Sequence, residues 1–321
     1  MNKKETLEIR KLFTQESSCL SRICGCYVDF NKEKVCSFQD AFLSLPKDEA
    51  LKYYDLFKST LSGTIGKQLL NMEFPTNQEF QGGTQEFLLQ LRNSELKDDA
   101  LNQAFYDKVI QAFDYAENYY IILIYGAYDV PGRSTDGAEM YDASEEVYPF
   151  LLCSICPVNR SKGGLSYLSE SNCIGERVRD WIVEAPMKGF LFPAFNDRSA
   201  DIHNVLYYTK NPEDSHPELI EQVLGSVTPM SPVNQKETFQ SILMNTLGED
   251  ADYEVVSNIH ENLNEMIAET KNNPDPLTLS KHEVKNLLEI SGVPSQELQD
   301  FDHTYEEIAG PKTALIASNL T

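Results

Sequence analysis

The sequence has no apolar run long enough to cross a bilayer. Its longest nearly apolar stretch, YYIILIYGAY at 119–128, is about half the roughly 20 residues that a membrane helix needs. The amino terminus, MNKKETLEIRKLF, turns acidic within five residues and has no apolar h-region, so it is not a signal peptide and a cytoplasmic chain is expected. Cations are scarce as well: 27 Lys and Arg stand against 50 Asp and Glu, a net charge of −23. Non-specific nucleic-acid binding depends on Lys and Arg displacing counterions, so it is excluded as an expectation, and anionic membranes are disfavoured. Seven cysteines, an odd number in a chain of this kind, imply reduced thiols and no disulfide framework.

Motifs of known chemistry are missing too. No GxSxG or HExxH occurs. SGTIGKQ at 62–68 has Gln68 where a phosphate loop needs Ser or Thr, and the acidic loop at 126–146 lacks the alternating carboxylates and closing Glu of a calcium loop. Cys153 and Cys156 form a CxxC inside an apolar strand-like run, where residues three apart face opposite sides, so core thiols are favoured over zinc or redox chemistry; burial is likewise favoured for Cys24 and Cys26. No cofactor is implied.

What is present is a chain of 321 residues, 41% apolar and 10% aromatic, enough for two domains or one large one. Periodicity predicts helices over 4–13, from Ser37 through Phe42, from Pro46 to about Leu61, and over 84–92 and 99–117. Strands are expected at 19–30, 119–128, 147–158, 180–185, 189–195 and 203–209. Helices resume at Ser215, 235–247, 253–271, Ser280 and around 298–308, and TALIASNLT has strand composition. The predicted fold is α+β: a mainly antiparallel or mixed central sheet flanked by helices, in a domain at 1–212, followed by an acidic helical section at 213–321. Because the chain stops soon after entering a strand, a missing carboxy-terminal segment is expected.

Two polar constellations stand out. In NDRSADIH (196–203), Asp197, Arg198, Asp201 and His203 lie between two apolar runs. If Ile202 and His203 begin a strand, Asp201 and His203 project to one face. Asp197, Asp201 and His203 are then candidate metal ligands or proton carriers, with Asp129 as a further carboxylate and Arg133 or Arg198 to steady an anion. The commoner reading, a polar turn satisfying its own backbone, is favoured. Between 245 and 310 there are 15 acidic residues and three Lys or Arg, so this section holds a disproportionate share of the negative charge.

Long strings of the sequence also resemble a known family. RICGCYVD (22–29), GGTQEFLLQLR (82–92), CSICPVNRSKGGLSY (153–167) and FLFPAFNDRSADIHNVLYYTKNP (190–212) are similar to a family of bacterial cytoplasmic proteins, domain-of-unknown-function family 4317, over nearly the whole chain. The resemblance implies no activity and assigns no residue a role; members of the family are longer at the carboxy end. The expected function is a non-catalytic interaction or regulatory protein whose acidic helices dock a partner with a basic surface. The alternative is a metal-dependent hydrolase or phosphoesterase built on the 126–146 loop and the 196–203 turn.

Overall fold

The structure, a computed structural model, describes residues 1–133, 139–248 and 252–321, with the backbone alone at 133 and 139–145. The chain divides into two compact units. The first holds Met1, residues 5–63 and residues 68–228; the second holds residues 2–4, 64–67 and 229–321. The units part at 228/229, past the 212/213 division expected, because a five-residue π-helix at Leu219–Val223 buries Leu219, Ile220 and Val223 in the core of the first unit.

The first unit is built on an antiparallel sheet. Its strands are β1 (Leu20–Val28), β2 (Lys34–Ala41), β3 (Leu69–Glu73), β4 (Tyr119–Arg133), β5 (Glu139–Arg160), β8 (Trp181–Val183), β9 (Lys188–Phe192) and β12 (Asn204–Thr209). The order is β2-β1-β4-β5-β9-β12-β3, with β8 paired to the far end of β5. Between β5 and β8, the chain forms a separate hairpin, β6 (Leu165–Leu168) with β7 (Cys173–Glu176), on which Leu165, Tyr167 and Ile174 are exposed. A second small hairpin, β10 (Ala194–Asn196) with β11 (Ser199–Asp201), lies between β9 and β12.

Both faces of the sheet are covered, which explains why its central strands read as continuous apolar runs. Cys24, Cys26, Ile121, Leu123, Leu151, Cys153, Phe190 and Tyr207 share one core with helices α3 (Thr84–Asn93) and α4 (Asp99–Ala112). Alternation sends Tyr120, Phe150 and Ser154 to the opposite face. There α2 (Lys47–Thr60) packs: Thr60 and Ser154 hydroxyls meet at 2.7 Å, Tyr53 and Tyr120 at 3.2 Å, and Phe13 bridges Phe57 and Phe150. Close approach of α2 requires Gly189, where a Cβ would lie 2.5 Å from Thr60 Cγ2 and 2.3 Å from the Cys153 carbonyl oxygen. The amino-terminal helix α1 (Lys3–Arg10) buries Glu5, Thr6 and Ile9.

The α+β expectation is met, with two corrections at the sheet edges. The segment opened by Ser37 is the strand β2, not a helix: its capping-box spacing is local, and seven residues paired with β1 outweigh it. The other edge, β3, was not expected; LLNME buries only Leu69 and Met72 and has one neighbour, β12.

The second unit packs α5 (Pro232–Leu247), α6 (Tyr253–Glu269), α7 (Lys281–Ile290) and α8 (Phe301–Ile308) around Phe239, Ile259, Leu263, Leu287 and Tyr305. The predicted start at Ser280 is a true capping box, with the Ser280 amide donating to Glu283 at 2.6 Å. A two-residue bridge, β13 (Thr278–Leu279) with β14 (Leu315–Ile316), is all the strand that TALIASNLT forms. Among the described residues no helix is long and apolar enough to cross a membrane.

Candidate functional site

The polar stretch at 196–203 consists of two tight turns in succession. Asp197 and Arg198 join β10 to β11, and both have positive φ, 51° and 61°, as a type I′ hairpin turn demands. A non-glycine residue in that region costs roughly 1–2 kcal/mol, so something must hold it there. The first helix does. Glu5 and Glu8, three apart and therefore on one side of α1, face the turn. The Asp197 amide donates to Glu5 Oε1 at 2.8 Å. The Arg198 guanidinium grips Glu8 in a fork, with Nη2 2.9 Å from Oε1 and Nε 3.2 Å from each of the two carboxylate oxygens, and the Tyr128 hydroxyl donates to Oε1 at 3.1 Å. Arg198 and Glu8 side chains are only 14% and 18% exposed, so this pair is shielded from solvent screening.

The second turn is organised by Asp201. Its carboxylate accepts from Asn196 Nδ2 and Asn204 Nδ2, each at 2.7 Å, and from the His203 amide at 3.0 Å. Burial would raise its pKa, but these three donors outweigh burial and hold the carboxyl below its ordinary range. Asn196 completes a chain of contacts, because its Oδ1 accepts from the Met1 α-amino group, which also donates to Asn71 at 2.8 Å. The Ile202 carbonyl accepts from the buried Gln85 at 2.9 Å, and the His203 carbonyl from the Phe74 amide at 2.9 Å.

His203 points elsewhere. Its exposed ring meets Glu79 through Nδ1 at 2.6 Å, and that hydrogen bond, ahead of the small opposing effect of desolvation, raises the imidazole pKa. Asp201 and His203 therefore do not share a strand face. Ile202 and His203 form a turn, β12 begins at Asn204, and the alternation that would have aligned the two side chains does not apply.

The other predicted residues are spread out. Asp197 is exposed, and among the described residues its carboxylate has no hydrogen-bond partner. Asp129 is exposed on β4, one residue from Tyr128 and so on the opposite strand face. The Arg133 side chain, with Asp136, Glu139 and Asp142, lies outside the described residues. Among the described residues no group of three His, Cys, Asp or Glu side chains is placed to hold a metal ion. The stems of the 126–146 loop do reach the turn, but through Tyr128 and through Glu146, which accepts from Ser199 Oγ at 3.1 Å. Sequence reasoning missed Glu5, Glu8, Glu79 and Glu146. The signal available for the first two was a pair of carboxylates on the face of a short helix that also carries the buried Ile9.

The cysteines behave as strand geometry requires. Cys24, Cys26 and Cys153 lie in one core, and Cys156 is buried on the other face. Desolvation pushes the Cys24 thiol up to about 12 and Cys26 to about 11, so both stay protonated at neutral pH.

No curated protein matches this chain. A family model described as a domain of unknown function, DUF4317, matches residues 1–321, end to end, including the turn and its partners on α1, and the chain belongs to that family.

Proposed function

We propose that the protein is a non-catalytic interaction or regulatory protein that docks a basic partner on its acidic helical unit. One observation carries this reading: Glu254, Glu261, Glu265 and Glu269 are exposed along α6, the last three at four-residue spacing. Like charges at that spacing repel and weaken an isolated helix, so the arrangement gains when a cation approaches. Among the described residues none of the four is ion-paired, whereas Lys281 and Lys285 nearby are held by Asp302 and Glu306. A basic surface would meet a field of one sign, associate quickly, and release as salt rises.

The test is partner capture with the wild type and with a variant in which those four glutamates become glutamine. A basic partner that elutes with salt and is lost in the folded variant is the expected result. Capture unchanged by the variant would remove this surface. A second reading, a metal-dependent hydrolase or phosphoesterase using the 126–146 loop and the 196–203 turn, is favoured by the exposed His203 imidazole, held by Glu79 two residues from Asp201. Of its other candidates, Asp197 keeps an exposed carboxylate, whereas Arg198 is tied to Glu8 and Asp129 lies on the strand face opposite Tyr128.

A further inference from the structure

Strand pairing in the first unit continues past the central sheet. The last residues of β5 pair with β8, Val158 opposite Val183 and Arg160 opposite Trp181, and the β6–β7 hairpin keeps that register, with Leu165 opposite Glu176 and Leu168 opposite Cys173. The Ser161 amide donates to the Asp180 carbonyl at 2.8 Å and the Arg177 amide to the Gly164 carbonyl at 2.9 Å, so the two pieces form one ribbon over 158–183. No residue from Lys162 to Ala185 is buried. The ribbon is therefore a two-stranded arm with neither face covered, and such an arm is marginally stable by itself in water.

The arm also concentrates exposed apolar surface. Among the described residues, seven of the nineteen large apolar side chains that are exposed lie between 165 and 183. Tyr167 and Ile174 are directly opposed, and Leu165, two residues from Tyr167, shares their face. These three expose on the order of 400 Å², and continuous apolar patches above a few hundred Å² mark contact surfaces. Charge indicates what covers them. The stretch 158–184 carries four cations, Arg160, Lys162, Arg177 and Arg179, and four acidic residues, so it is neutral. The rest of the chain has the other 23 of 27 cations and 46 of 50 acidic residues, and so holds the whole net charge of −23. Two copies repel over most of their surfaces, and the arm is where they approach without that cost. A basic partner gains nothing from a neutral arm, and anionic membranes repel the remainder of the chain. An arm with both signs in equal number can complement its own image, as a two-fold contact requires.

We propose that the arm joins two copies of this chain, the Leu165, Tyr167 and Ile174 face of one laid against the same face of the other. The surface is separate from the 196–203 turn and from the acidic face of α6, and stands or falls without either. Its apolar area is about half of the ~800 Å² that each partner gives a standard interface, so the dimer is reversible. The experiment is sedimentation equilibrium on the full chain over a concentration series. The expected result is a monomer–dimer equilibrium whose association holds or strengthens as salt rises from about 0.05 to 0.5 M, because the acidic remainder of each chain is screened. Tyr167→Ser combined with Ile174→Thr removes the apolar pair at exposed positions and keeps a β-branched residue in the strand. It should fold with an unchanged far-UV spectrum and weaken the dimer at least about tenfold, close to 1.4 kcal/mol. Leu165→Ser, on the same face, should weaken it by a smaller factor, and Tyr253→Ser, at an exposed aromatic on α6, should leave it unchanged. A chain that stays monomeric at about 1 mM, or that is bound by phosphatidylcholine vesicles and does not dimerise, would overturn the proposal. So would a dimer that salt dissolves, that the double variant leaves intact, or that Tyr253→Ser weakens equally.

Discussion

Two polar clusters in the first unit face the same problem and meet it differently. At 196–203 the Asp201 carboxylate has three donors and Glu8 has a forked arginine and a tyrosine, whereas on α4 Asn102 gives its amide nitrogen to the Leu96 carbonyl at 3.0 Å and its Oδ1, like the Tyr106 hydroxyl, is buried without a well-formed hydrogen bond. A polar cluster that closes on itself has spent its hydrogen-bonding capacity on holding the chain. One that does not close leaves part of the desolvation cost of its buried oxygens unrecovered. The residue types that look most chemical, Asp, Arg and His, sit in the closed cluster, and the bland ones, Asn and Tyr, supply the open one.

The sharpest way to break this comparison is to empty the closed cluster. Asp201→Ala would strand both asparagine side chains and the His203 amide, and should destabilise the unit by about 2–3 kcal/mol in denaturant titrations, since bonds to charged groups are worth about 1.5–3. A loss under about 0.5 kcal/mol would mean that the three donors do not depend on it. Because the folded-state pKa of Asp201 is depressed, its contribution is present above the unfolded carboxylate pKa and declines as pH falls through the folded value. The wild-type and variant stabilities should therefore converge in acid.

A smaller effect separates the ion pair from the backbone under it. Arg198→Ala loses the fork to Glu8 and retains a positive φ, for a cost of about 1–3 kcal/mol; Arg198→Gly loses the same fork and relieves the backbone, so it should be milder by about 1 kcal/mol. Equal losses would show that the turn is not strained. The smallest effect belongs to His203, whose ring is mostly exposed. Its folded pKa is raised by Glu79, so whatever it contributes is complete below the unfolded imidazole pKa and disappears as pH rises through the folded one. In an NMR titration Glu79→Gln should return the His203 midpoint toward its ordinary value. Zinc added to the same samples should leave the His203 signals in place; saturation by one equivalent would restore the metal-hydrolase reading.

Legibility in the sequence followed burial and range. The middle strands β4, β5, β9 and β12 were readable because both their faces are covered, which leaves unbroken apolar runs. The edge strands were not, since β2 is largely exposed and carries a misleading Ser37 to Asp40 spacing, and β3 has two buried residues in five. The turn itself was located correctly by the polar residues between two strands. Its partners were not, because Glu79 lies 124 residues from His203 and Glu8 lies 190 from Arg198, and no local pattern reports a contact of that span. The unpaired oxygens escaped notice for a related reason: an amide or phenol oxygen buried without a partner is a property of packing, invisible in the letters Asn102 and Tyr106.

The grip of Arg198 on Glu8 also sets a clock on biosynthesis. The eight residues of α1 are too few for a stable helix in water, and they emerge from the ribosome about 190 residues before the turn that receives them. At roughly 5–20 residues per second, that is a wait of about 10–40 s with Glu5 and Glu8 undocked. Until the β10–β11 hairpin has been made, Glu5 and Glu8 lack the Asp197 amide and the Arg198 guanidinium, so those two contacts form only after translation has passed residue 198.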